Sequence, residues 1–181
     1  MTVEETELQE RSEAELENEM NFFQTFHIDG NGMPAVSVHN GQCAMIRCEI
    51  SDCLGGGALV SKLDGQVSEP LLYMKSCRIY NCQCAGAEAR ENGSLILEGC
   101  DISANKQGVL FFMKASNVQI SGCHVYNNTC EGILGSEAYS YDNPTKLFVE
   151  GGSVHHNQIG LSLEYLKLVD VSNCKVFSNR S

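Results

Sequence analysis

Ten cysteines are the residues of this chain with the most evident chemical potential. Cysteine at this frequency usually forms disulfides in secreted chains or binds zinc inside the cell. The closest spacings are Cys43-x4-Cys48-x4-Cys53 and Cys77-x4-Cys82-x-Cys84. They lack the close pairing of zinc ribbons and fingers, so we expect no metal site and no cofactor. We expect reduced thiols that pack as small apolar side chains; a metal or redox role is the alternative.

Acidic residues are the second such set, because glycosidases use two carboxyl groups about 5–9.5 Å apart. Glu98 and Glu150 have matching positions in the repeat described below, but Ser121 occupies the position between them. Two strand spacings would then separate the carboxylates by about 10 Å. No Ser-His-Asp arrangement can be drawn from the spacing of the histidines, and no cysteine has an evident activating base. We therefore predict no catalytic residues and no enzyme.

One six-residue motif, written six times, positions these residues. The copies read CEISDC, CRIYNC, CDISAN, CHVYNN, GSVHHN and CKVFSN, and they begin at Cys48, Cys77, Cys100, Cys123, Gly152 and Cys174. The third residue is always Ile or Val, and the sixth is always Cys or Asn. The starts are 22 to 29 residues apart. A period of this length with short β-type segments is typical of a solenoid, whose stacked repeats share one core.

Each repeat is predicted to form three short strands. Apolar residues alternate just before the motif, which predicts a first strand with one buried face. The motif is the second strand, with its third residue pointing inward. A glycine follows (Gly56, Gly86, Gly108, Gly132 or Gly160) and is expected to permit a tight bend into a third strand. The sequence thus predicts an all-β, single-stranded right-handed parallel β-helix of about six coils.

Two columns of side chains would stack along this solenoid. They hold the cysteines at motif position one and the asparagines at position six: Cys48, Cys77, Cys100, Cys123 and Cys174; Asn105, Asn128, Asn157 and Asn179. We expect the asparagines to form a ladder at a bend, each side-chain amide bonding the next, as in cross-β stacks. The sequon Asn127-x-Thr129 is a glycosylation alternative that applies only to a secreted chain.

The coil pattern resembles the pectin-lyase-like superfamily. The segments GAEARENGSLILEGCDISAN and GVLFFMKASNVQISGCHVYNN are similar to CASH (carbohydrate-binding and sugar-hydrolase) repeats, as in F-box CASH proteins and the SHC SH2-domain-binding protein family. The resemblance covers about residues 35–179 and implies the fold, since such coils occur in enzymes and in scaffolds alike. It also implies adaptor roles in cytoskeletal or ciliary assemblies. We expect a non-catalytic scaffold or protein-interaction module; a carbohydrate-binding or carbohydrate-cleaving protein is the alternative.

Charge and hydropathy narrow the function classes. Net charge is −11, and residues 1–20 hold eight glutamates and one arginine, so we expect that segment to be helical or disordered. An acidic chain argues against nucleic acid and against an anionic membrane surface as partners. No apolar run approaches the ~20 residues that span a bilayer, and the acidic start is unlike a signal peptide. We expect a cytoplasmic protein.

Two insertions form the candidate partner-binding surface. Residues 61–70 (SKLDGQVSEP) and 136–145 (SEAYSYDNPT) lengthen the same junction between repeats, three coils or about 14 Å apart. Solenoid insertions often map to the binding face. We therefore expect a protein partner to contact Leu63, Asp64, Tyr139, Tyr141 and Asp142.

The ends of the chain lead to further expectations. The sequence divides into an acidic segment, residues 1–21, and a β-helix, residues 22–181, whose first and last coils are predicted to be incomplete. Phe22, Phe23, Phe26 and Ile28 are expected to fold over the first coil as a cap. The last coil has no predicted cap, so a partner or a second copy is expected to contact it.

Overall fold

The computed structural model describes residues 21–24, 27–29, 32–65, 67–112, 114–136, 145–166 and 168–181. Within these ranges the chain forms short strands that follow one another in a fixed rotation among three parallel sheets. Six successive turns each contribute one strand to every sheet and the last described turn contributes to two, so the described residues form a parallel β-helix. The acidic residues 1–20 lie outside the described ranges, and their predicted helical or disordered character stays a prediction.

Within each sheet, every strand pairs with the equivalent strand of the next coil. The first sheet contains β1 (Asn21–Gln24), β4 (Gln42–Ile46), β7 (Leu71–Lys75), β10 (Ser94–Glu98), β13 (Asn117–Ser121), β16 (Lys146–Glu150) and β19 (Leu168–Ser172). The second contains β2 (His27–Asp29), β5 (Glu49–Ser51), β8 (Arg78–Tyr80), β11 (Asp101–Ser103), β14 (His124–Tyr126), β17 (Ser153–His155) and β20 (Lys175–Phe177). The third contains β3 (Val36–Val38), β6 (Ala58–Ser61), β9 (Ala85–Arg90), β12 (Gln107–Phe112), β15 (Glu131–Ser136) and β18 (Ile159–Glu164).

The core is one column of apolar side chains enclosed by the three sheets. The predicted inward position of the motif is confirmed, since Ile50, Ile79 and Ile102 are fully buried. In the first strands the alternating residues are buried as predicted, except in β19. There Val169 and Val171 remain about two-fifths exposed, because β19 is the edge strand of its sheet.

The bend between the first and second strands requires a left-handed backbone. The residue at this bend has a positive φ of 53–66° in six successive coils: Arg47, Ser76, Gly99, Gly122, Gly151 and Asn173. Glycine and asparagine tolerate this region best, which explains the turn-prone residues in front of the motif. Arg47, the exception by residue type, adopts the same conformation with a φ of 55°.

The glycines before the third strand have a different role from the predicted one. Gly108 lies inside β12, and its φ is not positive, so it does not form a bend. A Cβ at this position would lie 2.4 Å from a Val125 methyl carbon and 2.5 Å from the Gly132 carbonyl oxygen of the next coil. Glycine is therefore required by close approach of the neighbouring coil. The first member of the column is Gly57, not Gly56, because Gly57 is in register with the later glycines.

The first coil differs from the cap predicted from the sequence. Phe22 pairs with Ala44 and Ile28 pairs with Ile50, in the same register as every later coil. These segments are strands of a further coil, so the prediction that Phe22, Phe23 and Ile28 fold over the end as a cap is wrong. Phe26 lies outside the described residues. The division of the chain at residues 21 and 22 stays a prediction.

Candidate functional site

The first insertion projects from the wall between β6 and β7. Val67 is 96% exposed and Leu63 is 48% exposed, although both side chains are apolar. The Lys62 ammonium group donates a hydrogen bond of 3.4 Å to the Val67 carbonyl within the loop. The Ser68 hydroxyl donates to the Asn40 side chain, which lies at the corresponding junction of the preceding coil. Hydrogen bonds thus hold the loop while its apolar side chains face solvent.

A shallow cavity of about 260 Å³ lies beside this insertion. Its lining residues are Lys62, Leu63, Asp64, Gly65, Glu91, Asn92 and Lys114. Backbone hydrogen bonds join the three junctions: Lys62 donates to the Glu91 carbonyl at 3.0 Å, and Asn92 donates to the Lys114 carbonyl at 2.8 Å. The lining combines two ammonium groups with two carboxylates, so it suits a polar partner of mixed charge.

The Glu91 carboxylate is already engaged inside this cluster. The Ser61 hydroxyl donates a hydrogen bond to it at 2.7 Å. A carboxylate that accepts from a side chain on the neighbouring coil has a fixed orientation. It therefore acts as a preformed acceptor at the rim of the cavity.

The outer face of the first sheet combines the acids considered above with apolar residues. Glu98 pairs with Ser121, and Ser121 pairs with Glu150, so the two acids are separated by one residue as the spacing predicts. The Tyr73 hydroxyl donates to the Glu98 carboxylate at 2.7 Å. Beside these residues, Ala44, Tyr73 and Ile96 form a buried apolar cluster of their own with Leu71. This face is therefore largely apolar in the coils of β4, β7 and β10.

A stack of aromatic rings follows the outer face of the second sheet. Tyr126, His155 and Phe177 occupy the fourth motif position in three successive coils, with ring centroids 5.2 and 4.8 Å apart and nearly parallel planes. His156 adopts a φ of 56° and brings its Nδ1 to 2.7 Å from that of His155. Burial between the rings, together with the nearby His156 and His124, lowers the pKa of His155. The rings contact each other through their faces.

The cysteine column lies inside the wall. Cys48, Cys77, Cys100 and Cys123 are at most 3% exposed, and all ten cysteines are free thiols. Burial raises the pKa of Cys43 to about 11 and that of Cys82 to about 12, so both are protonated at neutral pH. A hydrogen bond from the Cys100 thiol lowers the pKa of Cys77 to about 7, but Cys77 is 1% exposed.

Such thiols act as packing groups, because a reactive cysteine needs both thiolate character and access. Among the described residues, no group of three or more His, Cys, Asp and Glu side chains is placed to hold a metal ion.

The asparagine column lies at the bend between the second and third sheets. The Asn128 amide nitrogen donates to the Asn157 side-chain oxygen at 2.9 Å, and the Asn157 amide donates to that of Asn179 at 3.1 Å. Each oxygen also accepts from the backbone N–H of the preceding ladder residue, as Asn128 does from Asn105 at 3.0 Å. Buried polar groups are thereby satisfied along the whole bend.

Comparison with known families agrees with this architecture. A family model described as "right handed beta helix region" matches residues 12–181. The chain belongs to the right-handed beta helix family. Membership confirms the fold and its hand as predicted from the repeat. No curated protein and no solved structure matches this beta helix.

The structure brings together part of the predicted partner-binding set of this beta helix. Leu63 and Asp64 line the cavity described above, whereas Tyr139, Tyr141 and Asp142 lie outside the described residues. The second insertion leaves β15 and enters β16, at the same junction as the first. It therefore starts three strand spacings from the first insertion, along β6, β9, β12 and β15.

Sequence analysis missed three cavity residues and the aromatic stack. Glu91, Asn92 and Lys114 lie at the short junctions equivalent to the first insertion, so aligning the junctions gives the signal that could have found them. The stack could have been found from the fourth motif position, which is aromatic or His in four of the six copies. Within the described ranges no helix has the length and hydropathy of a membrane span.

Proposed function

We propose that this beta helix is a non-catalytic interaction module, a scaffold that binds a protein partner through the junction that carries the insertions. The observation that supports this proposal best is the exposure of Leu63 and Val67 beside a preformed cavity. Apolar surface gains about 25 cal/mol per Å² when a partner removes it from water. The polar cavity next to it offers directional hydrogen bonds, which is the arrangement of an interface with an apolar centre and a polar rim.

The outer faces support a binding role more than a catalytic one. The acids Glu98 and Glu150 are not neighbours, and one of them accepts a hydrogen bond from Tyr73. Glycosidases need a closer pair of carboxyl groups. We further propose a cytoplasmic location with an adaptor role in a cytoskeletal or ciliary assembly. The ten free thiols and the resemblance to intracellular CASH repeats support this location.

The test is quantitative affinity capture of the tagged chain from extracts of the cells that express it. The variant Leu63→Ser with Val67→Ser is compared with Leu54→Ser, a control that is 55% exposed at a different bend. We expect a defined protein set to fall by about tenfold or more with the double variant, and to persist with the control, because about 1.4 kcal/mol of lost burial corresponds to tenfold in affinity. Tyr139→Ala with Tyr141→Ala is expected to reduce the same set.

Two results would contradict the proposal. One is a captured set that neither insertion variant changes. The other is retention of no protein while the folded chain binds a glycan array, which would favour a carbohydrate-binding protein.

A further inference from the structure

One column on the outer face of the second sheet brings together three residue types that serve nucleophilic chemistry. Asp101 pairs with His124, and His124 pairs with Ser153, so the three follow one another at strand spacings of about 4.8 Å. They occupy motif position two, next to the inward Ile or Val, and therefore point outward. Spacing along the chain does not show this order, because each residue belongs to a different coil.

Ser153 and His124 are in direct contact. Nδ1 of His124 lies 2.8 Å from the Ser153 hydroxyl oxygen. When the hydroxyl is the donor, Nδ1 is the acceptor and the imidazole proton is on Nε2. A nucleophile and its general base need such a hydrogen bond, of about 2.6–3.2 Å. Asp101 lies on the opposite side of His124, where its negative charge favours the imidazolium that forms when His124 takes up the proton.

The backbone in front of Ser153 holds it beside His124. Gly151 and Gly152 have φ values of 66 and 67°, and Gly152 stands where the other five copies of the motif have cysteine. A Cβ at Gly152 would overlap the Cys123 carbonyl group, so β17 approaches β14 more closely than a side chain would allow. The Ser153 N–H donates a hydrogen bond of 2.9 Å to the same carbonyl oxygen. These contacts fix the Ser153 side chain next to the imidazole.

The Ser153 hydroxyl lies near the surface, although the residue is only 7% exposed. Its neighbours in the column, His124 and Lys175, are exposed. A reagent therefore reaches Ser153 when surface side chains move aside, whereas the thiols of the cysteine column lie inside the wall. Ser153 is also the one hydroxyl in a column whose other members are charged or titratable: Glu49, Arg78, Asp101, His124 and Lys175.

We propose that Ser153 takes up an acyl group from an activated ester, with His124 as the general base. The Ser153 hydroxyl oxygen bonds to the carbonyl carbon of the ester while His124 Nδ1 accepts the hydroxyl proton. The bond from that carbon to the leaving oxygen then breaks, and His124 passes the proton to the leaving alkoxide. The products are an ester on Ser153 and a free alcohol, and nothing is oxidised or reduced. Lys175, next in the column, places positive charge beside the carbonyl oxygen that becomes negative.

Acylation of Ser153 goes beyond the proposed scaffold role and is independent of it. The column lies on the second sheet, whereas the insertions lie at the junction that follows the third sheet. A single acylated serine adds a covalent group to the outer face of a module that remains non-catalytic.

The test treats the full chain with p-nitrophenyl acetate and follows acetylation by peptide mass spectrometry. Ser153 and Ser162 lie in one tryptic peptide, residues 147–167, so Ser162 is an internal control. Ser162 is a half-buried residue of β18 in the third sheet. We expect Ser153 to be acetylated about 100-fold faster than Ser162, because a general base contributes about 10²–10⁴ in rate. Equal rates at the two serines would overturn the proposal.

Variants separate the general base from the fold. His124→Gln keeps a hydrogen-bonding group beside Ser153 but removes the base, and we expect it to slow acetylation of Ser153 by about 100-fold. The control His39→Gln changes a histidine that contacts the Ser61 carbonyl in the third sheet, and we expect the original rate. Circular dichroism and the rate at Ser162 confirm that each variant is folded. A folded His124→Gln variant that is acetylated at Ser153 as fast as the original chain would overturn the role of His124.

Discussion

At the scale of single residues, side chains of this solenoid bond along its axis as well as within a coil. Asn128 donates to Asn157 in the next coil and to the Ile102 carbonyl in the preceding one, while its oxygen accepts from the backbone of Asn105. The aromatic stack follows the same logic on the outside, where His155 lies between Tyr126 and Phe177. A residue in either column therefore contributes through its neighbours in adjacent coils.

We predict that His155 makes stability depend on pH. Its folded-state pKa is lowered, so as pH falls the unfolded chain takes up the proton first, near its ordinary pKa of about 6.5. The free energy of unfolding contributed by His155 is therefore fully present above that pH and is lost as pH falls through the folded-state pKa. Urea unfolding across about pH 5.5 to 8 measures the slope.

The variant His155→Phe keeps an aromatic ring in the stack and removes the proton site. We expect it to flatten this part of the pH profile. A profile that keeps the same slope in His155→Phe would assign the effect to other groups.

At the scale of elements, the third strand shows how neighbouring coils constrain one another. Its glycine column lies against the asparagine ladder: the Asn105 amide nitrogen would be 2.7 Å from a Cβ on Gly86. The third strand therefore lies too close to the asparagine ladder for any side chain at the glycine position. Glycine inside a strand commonly marks such close backbone approach.

We predict that Gly108→Ala lowers the free energy of unfolding by about 3 kcal/mol, because its Cβ would overlap backbone and side-chain atoms of the next coil. The matched control is Gly65→Ala. Gly65 has a φ of 82°, and a Cβ added there would meet no neighbouring atom within 4 Å. Only the left-handed conformation penalises that change, by about 1 kcal/mol. Denaturant titration of both variants measures the difference. An equal or larger loss in Gly65→Ala would contradict the packing explanation.

At the scale of the whole molecule, each coil contacts mainly the coils before and after it. Val118 in β13 is fully buried, whereas Val169 at the equivalent position in β19 is 41% exposed. Stability in such a solenoid is approximately a sum over coils and the interfaces between them. The described coils should therefore differ in local stability.

We predict that backbone amides of β19 and β20 exchange with solvent well before those of β10, β11 and β12. All residues of β19 and β20 are exposed, whereas β10, β11 and β12 have a coil on each side that covers them. Native-state hydrogen exchange followed by mass spectrometry measures the order. Equal exchange rates in the last and central coils would show a single cooperative unit instead.

The sequence by itself determined the solenoid, because a repeat whose third position is always Ile or Val defines one inward face per coil. It also located the bend in front of each motif, the two columns and both insertions, since these follow from residue type and spacing along the chain. The family match agrees with this interpretation over residues 12–181.

Only the tertiary structure decided which residues meet across coils. The need for glycine at Gly108, the ring contact between His155 and Phe177, and the cavity around Leu63 all arise between residues of neighbouring coils, which lie far apart along the chain. The strand identity of Phe22 and the burial of the outward Ile96 were hidden for the same reason. Local pattern specifies what a segment can form, whereas the contacts it makes depend on the register of its neighbours.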